Sequence, residues 1–229
     1  MLRTTLAQCN VFTLQKNYLT GENIAGLVTM IETLAGLPAD PPASPLLAAF
    51  VRQKQFTAGA LLAQLQPAGR LISSELMRTS PYIVSKNQFL TWHAATARQR
   101  TQAYNAEFRL WGIESNAEIE QLGQEILEML GDRPVTAASI EAQLPGPVVK
   151  QLSQTSRGGR VSHTSNVALA LRWLAACGKL AIVTPAPGGS EAEIRYIPFE
   201  QQYPDLDLAA APAETEALTA LVRAYLAAF

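Results

Sequence analysis

The stretch "GRLISSELMRTSPYIVS", Gly69 to Ser85, decides how this chain is read. Upstream of it, apolar residues recur every three or four positions; within it they alternate with polar ones and β-branched residues gather. That change of period predicts a two-stranded hairpin from about Arg70 to Ser85.

Working back from the hairpin, the chain reads as a series of helices. "TLAQCNVFTLQKNYLT" carries Leu6, Val11, Leu14 and Leu19 at helical spacing, and "TGENIAGLVTMIETLAGL" carries Ile24, Leu27, Val28, Ile31 and Leu34. Thr20 or Asn23 is placed to cap the second of these, and Gly36 to stop it. A proline-rich junction follows, with Asp40 among prolines 38, 41, 42 and 45. Ser44 caps the next helix with Pro45 at its first position, and Thr57 opens "TAGALLAQLQ".

Working forward, "NQFLTWHAATARQRTQAYNAEFRLWG" is a more polar helix ending at Gly112. Next, Ile119, Leu122, Ile126, Met129 and Leu130 share one helical face, Gly131 ends it, and Pro134–Val135 makes an extended link. Thr136 caps a helix ending near Leu144. "PGPVVKQLSQTSRGGRVSHT" is expected to hold an extra helical turn and a mobile basic loop. Ser165 then caps "SNVALALRWLAACGKL", in which Trp173 is expected to face the core, and "KLAIVT" and "EIRYI" flank a loop holding Pro187, Gly188 and Gly189. Helices followed by a β-wing therefore occur twice. The expected fold class is mainly α with small β-wings, as tandem winged helix-turn-helix domains. The expected divisions are a first unit over 1–85, a helical connector over 86–112, a second unit over 113–203, and a linker with the start of a third element over 204–229. The amphipathic terminal helix is expected to dock on the second unit or to await a missing C-terminal domain or partner.

Composition narrows the class of function. Of 229 residues 48% are hydrophobic and 16% charged, enough to build cores and too few charges for disorder. Cys9 and Cys177 lie far apart in apolar segments and read as buried thiols of a reducing compartment. His93 and His163 have no partner motif, so no metal site and no cofactor are expected. There is no signal peptide core or membrane span, which points to a cytoplasmic protein that does not engage a membrane.

The net charge of −1 hides a strong segregation. Between Ala49 and Leu110 eight cations face only Glu75 and Glu107, and between Arg133 and Lys179 six face only Glu141. Two basic regions fit a polyanion, and double-stranded DNA is the partner a winged helix reads. The expected contacts in the second unit are Ser165 and Asn166 at the start of the helix with Arg172, assisted by Arg157, Arg160 and Lys179, with Arg195 from the wing. In the first unit they are Arg52, Lys54 and Arg78. Tyr82 and Trp92 are either core aromatics or surfaces for an extruded base. Asp40, before a proline, is either a turn residue or a reactive carboxylate.

"LGDRPVTAASIEAQL", "ALRWLAACGKLAIV", "RYIPFEQQYP" and "EALTALVRAYLAAF" resemble the tandem winged-helix alkylpurine DNA glycosylase family typified by AlkZ and YcaQ. The resemblance extends to Gly36-Leu37-Pro38-Ala39-Asp40-Pro41, which stands where the family carries Gly-Leu-Gln-X-Gln or Gln-X-Asp before a proline. Arg78-Thr79-Ser80-Pro81-Tyr82 stands where it carries Arg-Gly-Thr-Leu-His. The resemblance implies hydrolysis of the N-glycosidic bond of alkylated purines, with Asp40 as the electrostatic and water-positioning carboxylate and Pro38 in place of the family glutamine. The alternative is a non-catalytic winged-helix DNA-binding regulator or protein-interaction module.

Overall fold

The computed structural model describes residues 5–20, 26–41, 43–113, 115–155, 159–183 and 194–228. Within them the chain is mainly helical with small antiparallel sheets. It divides into two units: Met1–Ser73, Ser80–Ala95 and Ala210–Phe229 form the first, Ser74–Thr79 and Thr96–Ala209 the second.

The first unit begins with α1 (Leu6–Lys16), opened by a capping box in which Thr5 Oγ1 accepts from Gln8 N at 3.2 Å and Gln8 Oε1 from Thr5 N at 2.9 Å. No residue of α1 is buried, and Cys9 is exposed rather than buried as expected, while Cys177 is half-buried. Apolar residues are spread around α1 instead of forming one stripe, so no single face can be removed from water. α2 (Leu27–Thr33) buries Val28, Met30 and Ile31 and ends with Ala35 at φ 57° and Gly36 at φ 109°, where Gly36 N donates to Ile31 O at 2.9 Å. Only glycine suits position 36, because an added Cβ would sit 2.9 Å from Val84 Cγ1.

β1 (Leu37–Pro38) follows at once, then α3 (Ser44–Phe50), α4 (Ala58–Gln64), β2 (Leu71–Glu75) and β3 (Pro81–Ser85). The strand order is β1-β3-β2, so the hairpin read from the change of period takes β1 onto its β3 edge, with Leu37 opposite Ile83 and Pro38 opposite Tyr82. Pro38 has no N–H to give, and an edge strand is where that costs least. Val28, Met30, Ile31, Leu37, Ala49, Leu61, Leu71 and Ile83 make the core of this unit, each large side chain contributing roughly 1.5–3 kcal/mol by leaving water. The Trp92 indole is buried and donates to Ala35 O at 3.2 Å, which makes it a core residue.

α5 (Lys86–Leu110) passes from the first unit into the second. In the second unit, α6 (Asn116–Met129) is capped by Ser115 and packs Ile119, Leu122 and Ile126 into the core, with Val135 bridging to Tyr196 after it. α7 (Ala137–Glu141) opens with a capping box of Thr136 and Ser139. In the following segment a turn forms where Val148 N donates to Pro145 O at 2.9 Å, but the expected loop is flanked by paired strands. β4 (Gln151–Thr155) and β5 (Val161–Ser165) run antiparallel from Gln151 opposite Ser165 to Thr155 opposite Val161, and residues 156–158 lie outside the described residues. Its alternation is the reason, since Leu152 and Gln154 face partly inward while Gln151, Ser153 and Thr155 face solvent. α8 (Asn166–Ala176) is almost wholly buried, with Trp173 packed at the edge of the core. β6 (Leu180–Val183), β7 (Arg195–Pro198) and α9 (Phe199–Gln202) complete the unit, with β6 and β7 antiparallel. The expected wing loop with Pro187, Gly188 and Gly189 lies outside the described residues.

α10 (Glu214–Ala228) belongs to the first unit, not the second: it contacts α2 and buries Ala217 and Ala228, while Leu218, Val222, Tyr225 and Leu226 stay exposed. The same order of parts recurs in both units. A helix, a short extended piece, two helices and two strands follow one another, and the extended piece pairs with the last strand.

Candidate nucleic-acid interface and reactive carboxylate

Asp40 lies at the exit of β1, where Ala39 N donates to Pro81 O at 2.8 Å and Ser44 N donates to Pro41 O at 2.8 Å. Those two bonds fix the backbone on either side of it without using its side chain. The carboxylate is exposed, and among the described residues no main-chain amide, side-chain donor or cation binds it. A carboxylate serving as a turn cap accepts nearby backbone N–H groups; this one does not. An acid held on a fixed backbone, with no partner for its oxygens among the described residues, can stabilise a positive charge or orient a water on another molecule.

Several predicted contacts are engaged in the fold itself. Arg52 is half-buried, its Nε donating to Asn17 O at 2.8 Å and its Nη1 to Ala48 O at 2.9 Å, so it ties the end of α1 to α3. Burial lowers its pKa. Ser165 Oγ accepts from Ala168 N at 3.0 Å and donates to the Glu141 carboxylate, while Asn166 Oδ1 accepts from Lys150 N at 2.9 Å and Nδ2 donates to Val148 O at 2.8 Å. Both residues are buried, and they clamp the start of α8 onto α7 and onto the segment from Val148 to Lys150 that leads into β4.

Arg172 is held by a network the sequence did not announce. Its Nη1 donates to Glu107 Oε1 at 2.9 Å, its Nε lies 3.8 Å from Glu75 Oε1, and its guanidinium sits 5.7 Å from the centre of the Tyr104 ring. The Tyr104 hydroxyl donates to Glu75 Oε2. Burial raises the pKa of Glu75, against the opposing pull of Tyr104 and Arg172. Burial works against charge on Arg172, yet Tyr104, Glu107 and Glu75 outweigh it and keep the guanidinium cationic. Arg100, also buried, donates to Ala176 O at 3.0 Å and to Thr96, and burial pulls its pKa down to about 10. Glu75 and Glu107 were visible only as the two acids of a basic stretch; their pairing with a residue on α8 has no local signal.

The other predicted cations are on the outside. Lys54, Arg78, Arg160, Lys179 and Arg195 are all exposed, while Arg157 lies outside the described residues. Arg78 and Thr79 occupy the turn between β2 and β3 with φ of 58° and 53°, a left-handed conformation costing roughly 1–2 kcal/mol for each non-glycine residue. Tyr82 is half-buried opposite Pro38. Among the described residues no group of three or more His, Cys, Asp and Glu could hold a metal ion, and no helix is long and apolar enough to cross a membrane.

Comparison with known proteins places this arrangement. No curated protein matches the sequence. A solved structure of Streptomyces sahachiroi DNA glycosylase AlkZ superposes with a TM-score of 0.69 over 99% of this chain at 16% identity, a likeness of fold. The chain spans 58% of that protein's length. The family described as DNA glycosylase AlkZ-like matches residues 31–229, a range that includes the Asp40 turn, the left-handed turn at Arg78 and the whole second unit. The chain therefore belongs to the AlkZ-like DNA glycosylase family.

Proposed function

We propose that this protein binds double-stranded DNA through two tandem winged helices and hydrolyses the N-glycosidic bond of alkylated purines. The winged-helix reading rests on the recurring order of parts, in which a short extended piece pairs with the last strand of the wing in each unit. The divisions 1–85, 86–112, 113–203 and 204–229 are retained as functional segments, in a cytoplasmic protein. Lys54, Arg78, Arg160, Lys179 and Arg195 are the phosphate contacts, joined by Arg157. Ser165, Asn166, Arg172 and Arg52 act one step back, by holding the elements that carry those contacts.

The chemistry asks little of the protein. A purine alkylated at N7 or N3 already carries positive charge and leaves as a neutral base, so no strong general acid is needed. As the glycosidic bond lengthens, positive charge builds on the sugar ring, and an adjacent carboxylate stabilises it and orients the attacking water. The observation carrying this reading is the exposed carboxylate of Asp40, which has no bonding partner among the described residues, on a fixed backbone. Its test is release of free N7-methylguanine from methylated duplex DNA. The wild type releases base and Asp40→Asn does not, with folding unchanged; equal release by the variant ends the proposal.

One observation favours a second reading. Pro38 is paired to Tyr82 in β1–β3 and offers no side-chain amide beside Asp40, as a DNA-binding regulator without excision activity would have it. Tight duplex binding with no base release under any condition selects that reading.

A further inference from the structure

Among the described residues, Arg78 and Thr79 are the only consecutive non-glycine residues with positive φ. The other two such residues, Tyr18 and Ala35, follow helix ends, where bonds from Leu19 N to Leu14 O and from Gly36 N to Ile31 O account for them. No α-helix ends at Arg78, and β-branched Thr79 is especially disfavoured in that region. Something outside the turn must over-determine it.

That constraint lies directly before the turn. Glu75 and Leu76 are both buried, with Leu76 wholly out of solvent. Glu75 accepts from Tyr104 and faces Arg172, which Glu107 holds from its other side. A single residue, Met77, separates this anchor from Arg78. The Arg78 side chain is exposed and has no ion-pair or hydrogen-bond partner among the described residues. The turn thus joins a rigid buried end to an open cation.

We propose that Glu75 is a positioning residue whose tie to Tyr104, Arg172 and Glu107 holds the Met77–Thr79 turn so that Arg78 is presented, pre-ordered, to a phosphodiester of duplex DNA. This rests on the DNA-binding reading and adds to it how one contact is aimed. A guanidinium on a backbone already fixed loses less freedom on binding, and its planar fork matches two phosphate oxygens. Burial raises the pKa of Glu75, and its bond to Tyr104 and its proximity to Arg172 oppose that rise.

The test is equilibrium binding of the full chain to a labelled duplex at several salt concentrations between about 50 and 200 mM. The variants are Arg78→Ala, Glu75→Gln, Tyr104→Phe, and each anchor change combined with Arg78→Ala. Arg78→Ala weakens binding by about tenfold and lowers the log–log salt slope by about 0.9. Each anchor variant weakens binding by about threefold when Arg78 is present and has no added effect when Arg78 is absent. Losses that simply add, or an Arg78→Ala variant that binds like wild type, overturn the inference while the DNA reading stands. Wild-type protein that fails to bind at the lowest salt overturns both. Should Glu75→Gln fail to fold, Tyr104→Phe, which removes only the donated hydroxyl, carries the comparison.

Discussion

The two units repeat one order of helices and strands but put their polar residues to opposite uses. In the first, the core is apolar, and the extended piece β1 leads to an acid left open to solvent at Asp40. In the second, the matching extended piece leads from Val135 straight into the Thr136 capping box, and the charges have moved inward as Glu75, Arg100, Glu107 and Arg172. The link between the two helices that follow the extended piece differs too. It is a short turn from Val51 to Thr57 in the first unit and the β4–β5 hairpin in the second. The shared path goes with a shared spacing of apolar residues, while the polar residues placed along it differ between the two copies.

The largest expected effect on stability lies at the first unit's extended piece. Gly36→Ala should cost about 2–4 kcal/mol in denaturant unfolding, because it combines a forbidden φ with a 2.9 Å clash against Val84. Gly123→Ala on α6 should stay within about 1 kcal/mol of wild type. There the new Cβ meets Leu174 at 3.3 Å, and better helix propensity offsets the crowding. Equal losses at the two sites would erase the distinction between a backbone requirement and a packing preference.

Next in size is Arg172→Ala, expected to cost about 1–3 kcal/mol by stranding the buried carboxylate of Glu75 and the half-buried one of Glu107, a figure reduced from that of a fully buried pair because its side chain is 39% exposed. A loss under 0.5 kcal/mol, roughly that of an ordinary surface change, would mean the second unit does not depend on its internal charges.

The pH dependence of the same network follows from Glu75, whose folded pKa is raised above 4.5 by burial while Tyr104, Arg172 and Arg100 pull it down and Glu107 pushes it up. Between the unfolded and folded values the native state holds more protons, so lowering the pH favours folding at this group. The stability of Glu75→Gln relative to wild type should therefore be highest at neutral pH and decline as the pH falls toward 4.5. A relative stability that rises on acidification would mean that the ion pairs, not burial, dominate Glu75.

The smallest effect concerns the helix caps. Thr136→Ala should cost about 1 kcal/mol and Thr57→Ala somewhat less, since only Thr136 is part of a reciprocal pair of bonds with Ser139. Thermal midpoints of the two variants rank them, and the reverse order would break the correlation between box and cap.

How far the sequence could be read depends on whether its signals are local. The change of period at Arg70, the caps at Thr57, Thr136 and Ser165, and the stops at Gly36 and Gly131 are local, and they located most of the elements. The β4–β5 hairpin was missed because basic residues and paired glycines resembled a loop, although Leu152 and Gln154 already alternated. The solvent exposure of α1 and Cys9 could not be read from apolar content alone. Nor could the placement of α10, whose partner α2 lies far upstream. At the site, Asp40 was singled out by its proline setting and by resemblance. That Arg52, Ser165, Asn166 and Arg172 support the fold depends on partners 16 to 97 positions away, such as Lys150 for Asn166 and Glu75 for Arg172.

The division of labour between the two units is most directly tested by measuring, for one methylated duplex, both affinity and the single-turnover rate of base release at saturating protein. Asp40→Asn should lower the rate by about a hundredfold or more with affinity unchanged, and Arg160→Ala should lower affinity several-fold with the saturated rate unchanged. An Asp40→Asn variant that releases base at the wild-type rate would contradict the account.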